Sequence, residues 1–236
     1  AAVQELARGW KDDPDTLTWL KDRASNDDDN DVRQAAVQEL ARGWKDDPDT
    51  LTILKDRASN DDNEWVRHAA VQELARGWKD DPDTLTILKD RASNDDFPNV
   101  RQAAVQELAR GWKDDPDTLT MLKDRASKDD HQNVQQAAVQ ELARGWKDDP
   151  DTLTILKDRA TKDDSPTAEA ERWQRGVRDA AIELLARFWP DDPDTLALLR
   201  EREQNDPTPW LREKAKRMAD KLEARGMTPP LPGVNP

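Results

Sequence analysis

The chain has 236 residues and a formal net charge of −14 at pH 7, because 51 aspartates and glutamates outweigh 37 lysines and arginines. This acidity argues against a nucleic-acid binder, which needs a basic surface for phosphates, and the absence of cysteine excludes disulfides, thiolate metal sites and cysteine nucleophiles. No apolar run approaches the roughly 18 residues that a membrane span needs, and no signal-peptide pattern opens the chain, so we expect a cytoplasmic protein without membrane contact.

An internal repeat organises the whole chain. The segment AAVQELARGWKDDPDTLT occurs five times without change at a spacing of 34 residues, and a diverged sixth copy follows after an insertion of nine residues. Because the turn and the Val-Arg pair that precede the later copies are missing before the first one, we expect the chain to be a fragment of a longer protein. The copies begin at Ala1, Ala35, Ala69, Ala103, Ala137 and Ala180.

Each unit is predicted to form two helices. Over residues 32–44 the apolar residues fall on one side of a helical wheel and the polar residues on the other. The second helix is predicted to begin at Asp47-Pro48, since aspartate caps free N–H groups and proline suits the first helical position. Neither helix can bury its apolar stripe alone, so stacked units should form an all-α solenoid. The stripe of the first helix includes the repeat tryptophans, which we therefore predict to hold the stack together: Trp44, Trp78 and Trp112.

The copies differ mainly in the turn before the first helix. One interpretation is that an exposed loop tolerates change. Trp65 and Phe97 favour another, in which stacked turns form an aromatic and polar ridge that contacts a protein. Trp210 stands at the position equivalent to Trp65, which is also consistent with packing of the turn. With these alternatives open, the candidate partner-binding residues are Asn63, Glu64, Trp65, His68, Phe97, Pro98, Asn99, His131, Gln132 and Asn133.

A second variable position lies in the second helix of each unit. All of its occupants are apolar, which favours packing between units over an exposed groove. They are Trp19, Ile53, Ile87, Met121 and Ile155.

The insertion lies near residues 165–176. Ser165 followed by Pro166 is a typical helix start, so the first helix of the sixth unit is predicted to extend by about 2.5 turns towards the N-terminus. Gly176 supports the alternative, a break into two helices.

The array is predicted to occupy residues 1–226 as a single domain. A C-terminal capping helix is expected over about residues 210–225, where Lys216 replaces the Val or Ile of the other units. The segment 227–236 contains four prolines and is predicted to be an extended or disordered tail.

No pattern in the chain points to catalysis or metal binding. The recurring aspartates are predicted to be helix caps and a solvated acidic face, because no calcium-binding loop motif occurs. His68 and His131 lie in different units and have no cysteine or paired histidine nearby. Phosphate-loop and nucleophile motifs are also missing. The sequence therefore predicts a non-enzymatic protein without cofactor or metal.

The segment 206–212 reads DPTPWLR and resembles the opening of a HEAT-like repeat, and Asp95, Pro98, Val100 and Arg101 form a looser version of it. The chain is accordingly similar to the short bacterial HEAT-like repeats. The resemblance implies a right-handed α-solenoid of about six helix-turn-helix units. It also implies that the arginine after the valine bonds acidic groups of the neighbouring unit. These arginines are Arg33, Arg67, Arg101, Arg178 and Arg212. Gln135 replaces the arginine in one unit, which predicts a weaker joint between the third and fourth units.

An acidic, locally varied array without catalytic apparatus predicts a protein-binding scaffold or sensor module, and the resemblance implies a place in a larger bacterial signalling protein. The expected partner is a protein or peptide, with a basic segment suited to the acidic surface, and the chain is expected to be monomeric. Two alternatives stay open, a bilin-lyase-like HEAT enzyme and a consensus-designed repeat protein without biological function.

Overall fold

Helices account for nearly all of the described chain. A computed structural model describes residues 2–162 and 176–226, and within these ranges thirteen helices and no strand are present, which confirms the predicted all-α class. No helix in these ranges is long and apolar enough to cross a membrane. The helices are α1 (Ala2–Gly9), α2 (Pro14–Asn26), α3 (Asn30–Gly43), α4 (Pro48–Asn60), α5 (Glu64–Gly77), α6 (Pro82–Asn94), α7 (Pro98–Gly111), α8 (Pro116–Lys128), α9 (Gln132–Gly145), α10 (Pro150–Thr161), α11 (Val177–Phe188), α12 (Pro193–Asn205) and α13 (Pro209–Gly226).

The helices form two compact units, Ala1–Arg125 and Ala126–Pro236. In the first unit, α1, α3, α5 and α7 contact one another in sequence, and α2, α4 and α6 form a second row. In the second unit, α9, α11 and α13 form one row, and α10 contacts α12. Helix pairs therefore stack within each unit as the repeat predicts.

In the described part of the chain, the second helix of each repeat begins at the predicted Asp-Pro pair. The side chain of Asp47 accepts a hydrogen bond from the Asp49 amide at 3.0 Å, and Pro48 occupies the first turn. Asp81 caps α6 in the same way, with the Asp83 amide at 3.1 Å. Aspartate at this position satisfies amides that the helix itself leaves without a partner.

The core consists of small sets of aliphatic side chains that recur in each repeat. Val71 and Leu74 of α5 and Leu88 of α6 have no exposed surface, and Ile182 and Leu185 are equally buried in the second unit. Because each repeat shares its core only with its neighbours, a hydrophobic content of 35% is enough to bury one face of every helix.

The cap aspartates also bind a lysine of the preceding repeat, which the sequence analysis did not anticipate. Lys21 Nζ lies 2.7 Å from Asp47 Oδ1 and donates to Asp49 Oδ2 at 2.9 Å. Burial alone would lower the pKa of Lys21, but the bonds and charges of the two carboxylates outweigh it and raise that pKa. Lys21 and Asp47 are half-buried, whereas Asp49 is largely exposed, so solvent screens the pair with Asp49 and that pair contributes little to stability. The same contact recurs at Lys55, Lys89 and Lys157.

A buried arginine–aspartate pair links successive turns. Arg67 donates through Nε and Nη2 to the two carboxylate oxygens of Asp95, at 2.8 and 2.9 Å, and through Nη1 to the carbonyl oxygen of Asp61 at 2.7 Å. Arg33 binds the Asp61 carboxylate in the same bidentate way, at 3.1 and 2.9 Å. We call this series the arginine–aspartate ladder.

The structure shows the bond that the family resemblance implies at Arg33, Arg67 and Arg178. Besides Arg33 and Arg67, Arg178 pairs with Asp206, with 3.1 Å between Nε and Oδ2. Arg212 donates to the Asp206 carbonyl oxygen at 2.6 Å. Arg101 likewise donates to a backbone carbonyl oxygen of its own turn.

Gln135 keeps only part of this arrangement. Its side-chain amide donates to the Asp129 carbonyl oxygen at 2.5 Å, and its oxygen accepts from Arg159 at 3.3 Å. The aspartate 28 residues further on is Asp163, which lies outside the described residues, so the weaker joint stays a prediction.

The repeat tryptophans do not lie in the core, contrary to the sequence-based prediction. Trp44, Trp78 and Trp112 are half-buried C-cap residues, and their backbones have left the helical conformation, with φ near −130°. A helical wheel does not apply beyond the last helical residue, which is why it misplaced these rings. Lys45 Nζ of the preceding repeat lies 5.8 Å from the Trp78 ring centroid, a cation–π contact across the joint.

The first helix of the sixth copy does not run continuously into the insertion. It begins at Val177, and Gly176 is its N-cap with extended backbone angles, φ −71° and ψ 176°. Because glycine costs about 1 kcal/mol in a helix interior, Gly176 is better placed at the start of a helix than within one. This is the position that the alternative interpretation gave for the break. The predicted helix over the rest of the insertion falls on residues 163–175, outside the described residues.

The variable apolar position of the second helices is half-buried in every unit, neither enclosed in the core nor fully exposed. The fully buried residues of these helices lie on the other side, such as Leu54 and Ala58 in α4.

The ladder predicts a distinct acid response. Burial alone would raise the pKa of Asp95, but the bonds from Arg67 and the Phe97 amide outweigh it and hold that pKa below its ordinary value. The stabilisation is therefore present above the unfolded pKa of about 3.9 and is lost as the pH falls through the folded pKa.

Asp95→Asn should cost about 3–5 kcal/mol at neutral pH, because it leaves Arg67 buried without its counter-charge, and should flatten the acid limb of the stability curve. Urea titrations from neutral to acidic pH measure both effects; the exposed Asp96→Asn is the control, and equal losses in the two variants would contradict the prediction.

The position of the repeat tryptophans predicts a modest contribution to stability. Trp78→Ala should cost about 1–2 kcal/mol, less than the roughly 3–5 kcal/mol typical of a core aromatic, because the ring is only half-buried. Thermal unfolding by circular dichroism measures this, with the fully buried Leu88→Ala as the comparison. A larger loss of stability for Trp78→Ala than for Leu88→Ala would mean that the Trp78 ring lies in the core.

Candidate functional site

The turn before α5 presents Trp65 in a fixed position. Asn63 is the N-cap residue, and its side-chain oxygen accepts hydrogen bonds from the amides of Trp65 and Val66 at 2.9 and 3.4 Å. The helix therefore starts at Glu64, and the Trp65 side chain, 46% exposed, leaves the first turn towards solvent. A large aromatic ring is thus held on the surface by a well-formed cap.

His68 lies one turn further along α5 and supports the Trp65 ring. The two ring centroids are 6.1 Å apart with an edge-on angle of 63°. Burial lowers the pKa of His68, and the positive charge of Arg76 lowers it further, while Glu64 acts in the opposite direction. His68 is therefore neutral at neutral pH and adds no positive charge beside Trp65.

Phe97 occupies the corresponding turn of the next repeat. It is the N-cap residue of α7 without a side-chain cap bond, and Pro98 follows at the first helical position, where no N–H is needed. The ring is 40% exposed, and the Arg67 guanidinium carbon lies 5.4 Å from its centroid. Arg67 therefore binds Asp95 in the ladder and also supports the Phe97 ring through a cation–π contact.

A hydrogen bond joins the two turns directly. Asn99 Nδ2 donates to Glu64 Oε2 at 3.1 Å. The structure thus brings seven of the ten candidate residues together in the first compact unit. We call them the turn patch: Asn63, Glu64, Trp65, His68, Phe97, Pro98 and Asn99.

The other three candidate residues belong to the second compact unit. His131 is the N-cap residue of α9, and its Nδ1 accepts from the Asn133 amide at 3.2 Å. His131, Gln132 and Asn133 are all half-buried. His131 thus has a structural role as a cap, which the sequence analysis did not assign to it.

The surroundings of the turn patch are acidic. Asp62 pairs with Arg33 at 2.6 Å while its own side chain is 90% exposed, and Asp96 is exposed next to Phe97. These carboxylates and the cation–π role of Arg67 were not among the predicted site residues. The repeat spacing could have predicted the Arg67–Phe97 contact, because residues about 30 positions apart lie in neighbouring turns of successive repeats.

The described residues contain no group of three or more histidines and carboxylates placed to hold a metal ion. The carboxylates of the turns are instead used by amides, lysines and arginines, as at Asp47 and Asp61.

Comparison with protein families gives one match. The family profile described as HEAT repeats matches residues 1–75 and 85–173, more than half of the chain. A comparison with curated proteins finds no match.

The exposure of Trp65 predicts that its ring contributes little to folding. Trp65→Ala should change the free energy of unfolding by no more than about 1 kcal/mol, because the backbone cap is made by Asn63 and the ring remains half in solvent. Leu74→Ala, in the core of the same helix, should cost about 2–5 kcal/mol. Chemical denaturation followed by far-ultraviolet circular dichroism measures both, and similar losses would mean that Trp65 is a packing residue rather than a surface one.

Proposed function

Because the chain belongs to the HEAT-repeat family, whose members generally act as protein-interaction scaffolds, we propose that it is a non-catalytic scaffold that binds a protein through the turn patch. The observation that carries the proposal is the presence of two exposed aromatic rings, Trp65 and Phe97, in hydrogen-bonded neighbouring turns. Aromatic residues of this kind are the usual energetic anchors of interfaces.

The order of the turn patch supports this function. Trp65 is fixed by the Asn63 cap and the His68 ring, and Phe97 rests on Arg67, which two ladder contacts hold in place. Side chains that are already ordered lose less conformational entropy on binding, so more of the contact free energy appears as affinity.

The charge around the patch defines the class of partner. Asp62, Glu64 and Asp96 surround the two rings, and the chain as a whole carries −14. A basic protein segment would be attracted by this field and would associate faster at low salt. The acidic background adds rate and salt dependence, while the aromatic rings supply most of the affinity.

The proposal has further elements, which extend the expectations of the sequence analysis. The turn of His131, Gln132 and Asn133 forms a second contact region on the other compact unit. We place the chain, as a monomer, in the cytoplasm of a bacterium, within a larger signalling protein, and assign it a right-handed solenoid of about six repeats.

The aromatic anchors predict the outcome of a double substitution. Trp65→Ala with Phe97→Ala should weaken capture of a partner isolated with the wild-type chain by at least about 2 kcal/mol, or roughly thirtyfold. Biolayer interferometry with the purified partner measures this. Trp210→Ala is the matched control, because Trp210 is 41% exposed at the equivalent position of the last turn but lies outside the turn patch.

Two further outcomes separate the possible surfaces. Neutralising Asp46 and Asp80, which lie on the exposed loops between first and second helices, should reduce the salt sensitivity of association more than its strength at physiological salt. Unchanged binding by the aromatic double variant would rule out the turn patch and make the half-buried second-helix positions near Ile53 and Ile87 the better candidates.

A further inference from the structure

The second compact unit has a cleft between two helices whose lining differs from the rest of the surface. It measures about 290 Å³ and lies between α11 and α13. From α11 it is lined by Glu183, Ala186 and Arg187, and from α13 by Met218, Lys221, Leu222 and Arg225.

The spacing of these residues places them on one face of each helix. The α11 residues are separated by three and four positions, and those of α13 follow the same three-and-four pattern over two turns, which is the spacing of neighbours on a helix surface. Leu222 is buried, and Ala186 and Met218 are half-buried. The cleft therefore has an apolar floor that faces solvent between two rows of longer side chains.

The rim of the cleft carries uncompensated positive charge. Arg187, Lys221 and Arg225 are exposed, and none of them has a carboxylate within ion-pair distance in the described part of the chain. The carboxylate at the rim, Glu183, accepts from Lys214 at 2.9 Å, and that lysine also binds Asp179. The three cations outnumber this one carboxylate of the lining.

Arg200, in the same unit, shows the more usual arrangement, in which carboxylates surround the guanidinium group. Arg200 of α12 donates to Glu203, Asp220 and Glu223 at 2.6–2.7 Å. Arginines of the described chain are typically satisfied in this way by the abundant carboxylates. A group of three cations beside an apolar floor, on a chain of charge −14, is thus a local reversal of the surface potential.

We propose that this cleft binds an acidic peptide segment that carries one large apolar side chain. The apolar side chain would occupy the floor formed by Ala186, Met218 and Leu222, and flanking carboxylates would meet the guanidinium groups of Arg187 and Arg225, which suit bidentate carboxylate binding. The volume lies just below the range of about 300–1,000 Å³ typical of small-molecule sites, so it fits an inserted side chain better than a whole cofactor.

The charge of the chain supports a peptide of this class. An acidic peptide is repelled by the carboxylate-rich turns and attracted by the cationic rim of the cleft. A groove between neighbouring helices is a usual receptor for the apolar side chain of a peptide. This surface is separate from the turn patch and opposite to it in charge, so the proposal stands independently of the proposed function.

The test is a fluorescence anisotropy titration of the full chain with a labelled peptide that carries one phenylalanine between two runs of three glutamates. We expect saturable binding that weakens with salt, and at least about tenfold weaker binding by Lys221→Gln with Arg225→Gln, because both rim charges are removed. Met218→Asn should weaken binding as well, since it places a polar group on the floor. The same peptide with glutamine in place of glutamate should not bind measurably.

The matched control is Lys216→Gln with Arg217→Gln. These residues lie on the same helix, are exposed, and change the net charge equally, but they do not line the cleft. Binding by this control should stay within about twofold of the wild-type chain, and the melting curves of the two charge variants should coincide with that of the wild type.

Several results would overturn the proposal. Equal weakening by the two double variants would show that only overall charge matters, and an absence of binding by the wild-type chain would remove the site. Binding that appears only after removal of residues 227–236 would assign the cleft to the C-terminal segment of the chain itself. Self-association that is lost in Lys221→Gln with Arg225→Gln would assign it to a second copy of the chain.

Discussion

The buried pairing of Arg67 with Asp95 is the contact on which the surrounding structure depends. Arg67 spans two turns, since it binds the carboxylate of Asp95 and the carbonyl oxygen of Asp61. Asp95 in turn accepts from the Phe97 amide at 3.0 Å and so sets the conformation of the next turn. Once such a pair is buried, removal of one partner leaves a desolvated charge, which is why a buried pair tolerates little change. The turn residues around this pair vary freely, whereas the arginine of the pair is replaced in one repeat, by Gln135.

The ladder explains how nearly identical repeats can carry a specific surface. The side chains that differ between copies project from turns whose backbones are held by invariant groups, so Trp65 and Phe97 stand on the same scaffold in successive repeats. Binding residues are commonly found on loops that a rigid framework positions. Here Arg67 performs both tasks, because its guanidinium pairs with Asp95 and lies against the Phe97 ring. A change at this arginine would therefore affect the fold and the candidate interface together.

Charge is distributed unevenly along this acidic chain. In the first unit the cap aspartates bind lysines of the preceding repeat, and other exposed carboxylates lie near the turns, as at Asp62 and Asp96. On the second unit, the cleft between α11 and α13 is lined by three cations that have no carboxylate partner among the described residues. The two proposed surfaces would thus select partners of opposite charge, a basic segment at the turn patch and an acidic one at the cleft, because like charge placed opposite either surface is repelled.

The sequence by itself determined the all-α fold and the Asp-Pro helix starts, because each depends on residues close together in the chain. It also marked the variable turns, and the family resemblance implied the ladder arginines. Only the tertiary structure decided that Trp78 lies at a half-buried cap, since its backbone leaves the helix there, and that the helix begins at Val177. The Glu64–Asn99 bond and the cationic cleft likewise depend on side chains that meet through space from different helices, and helical periodicity describes one helix at a time.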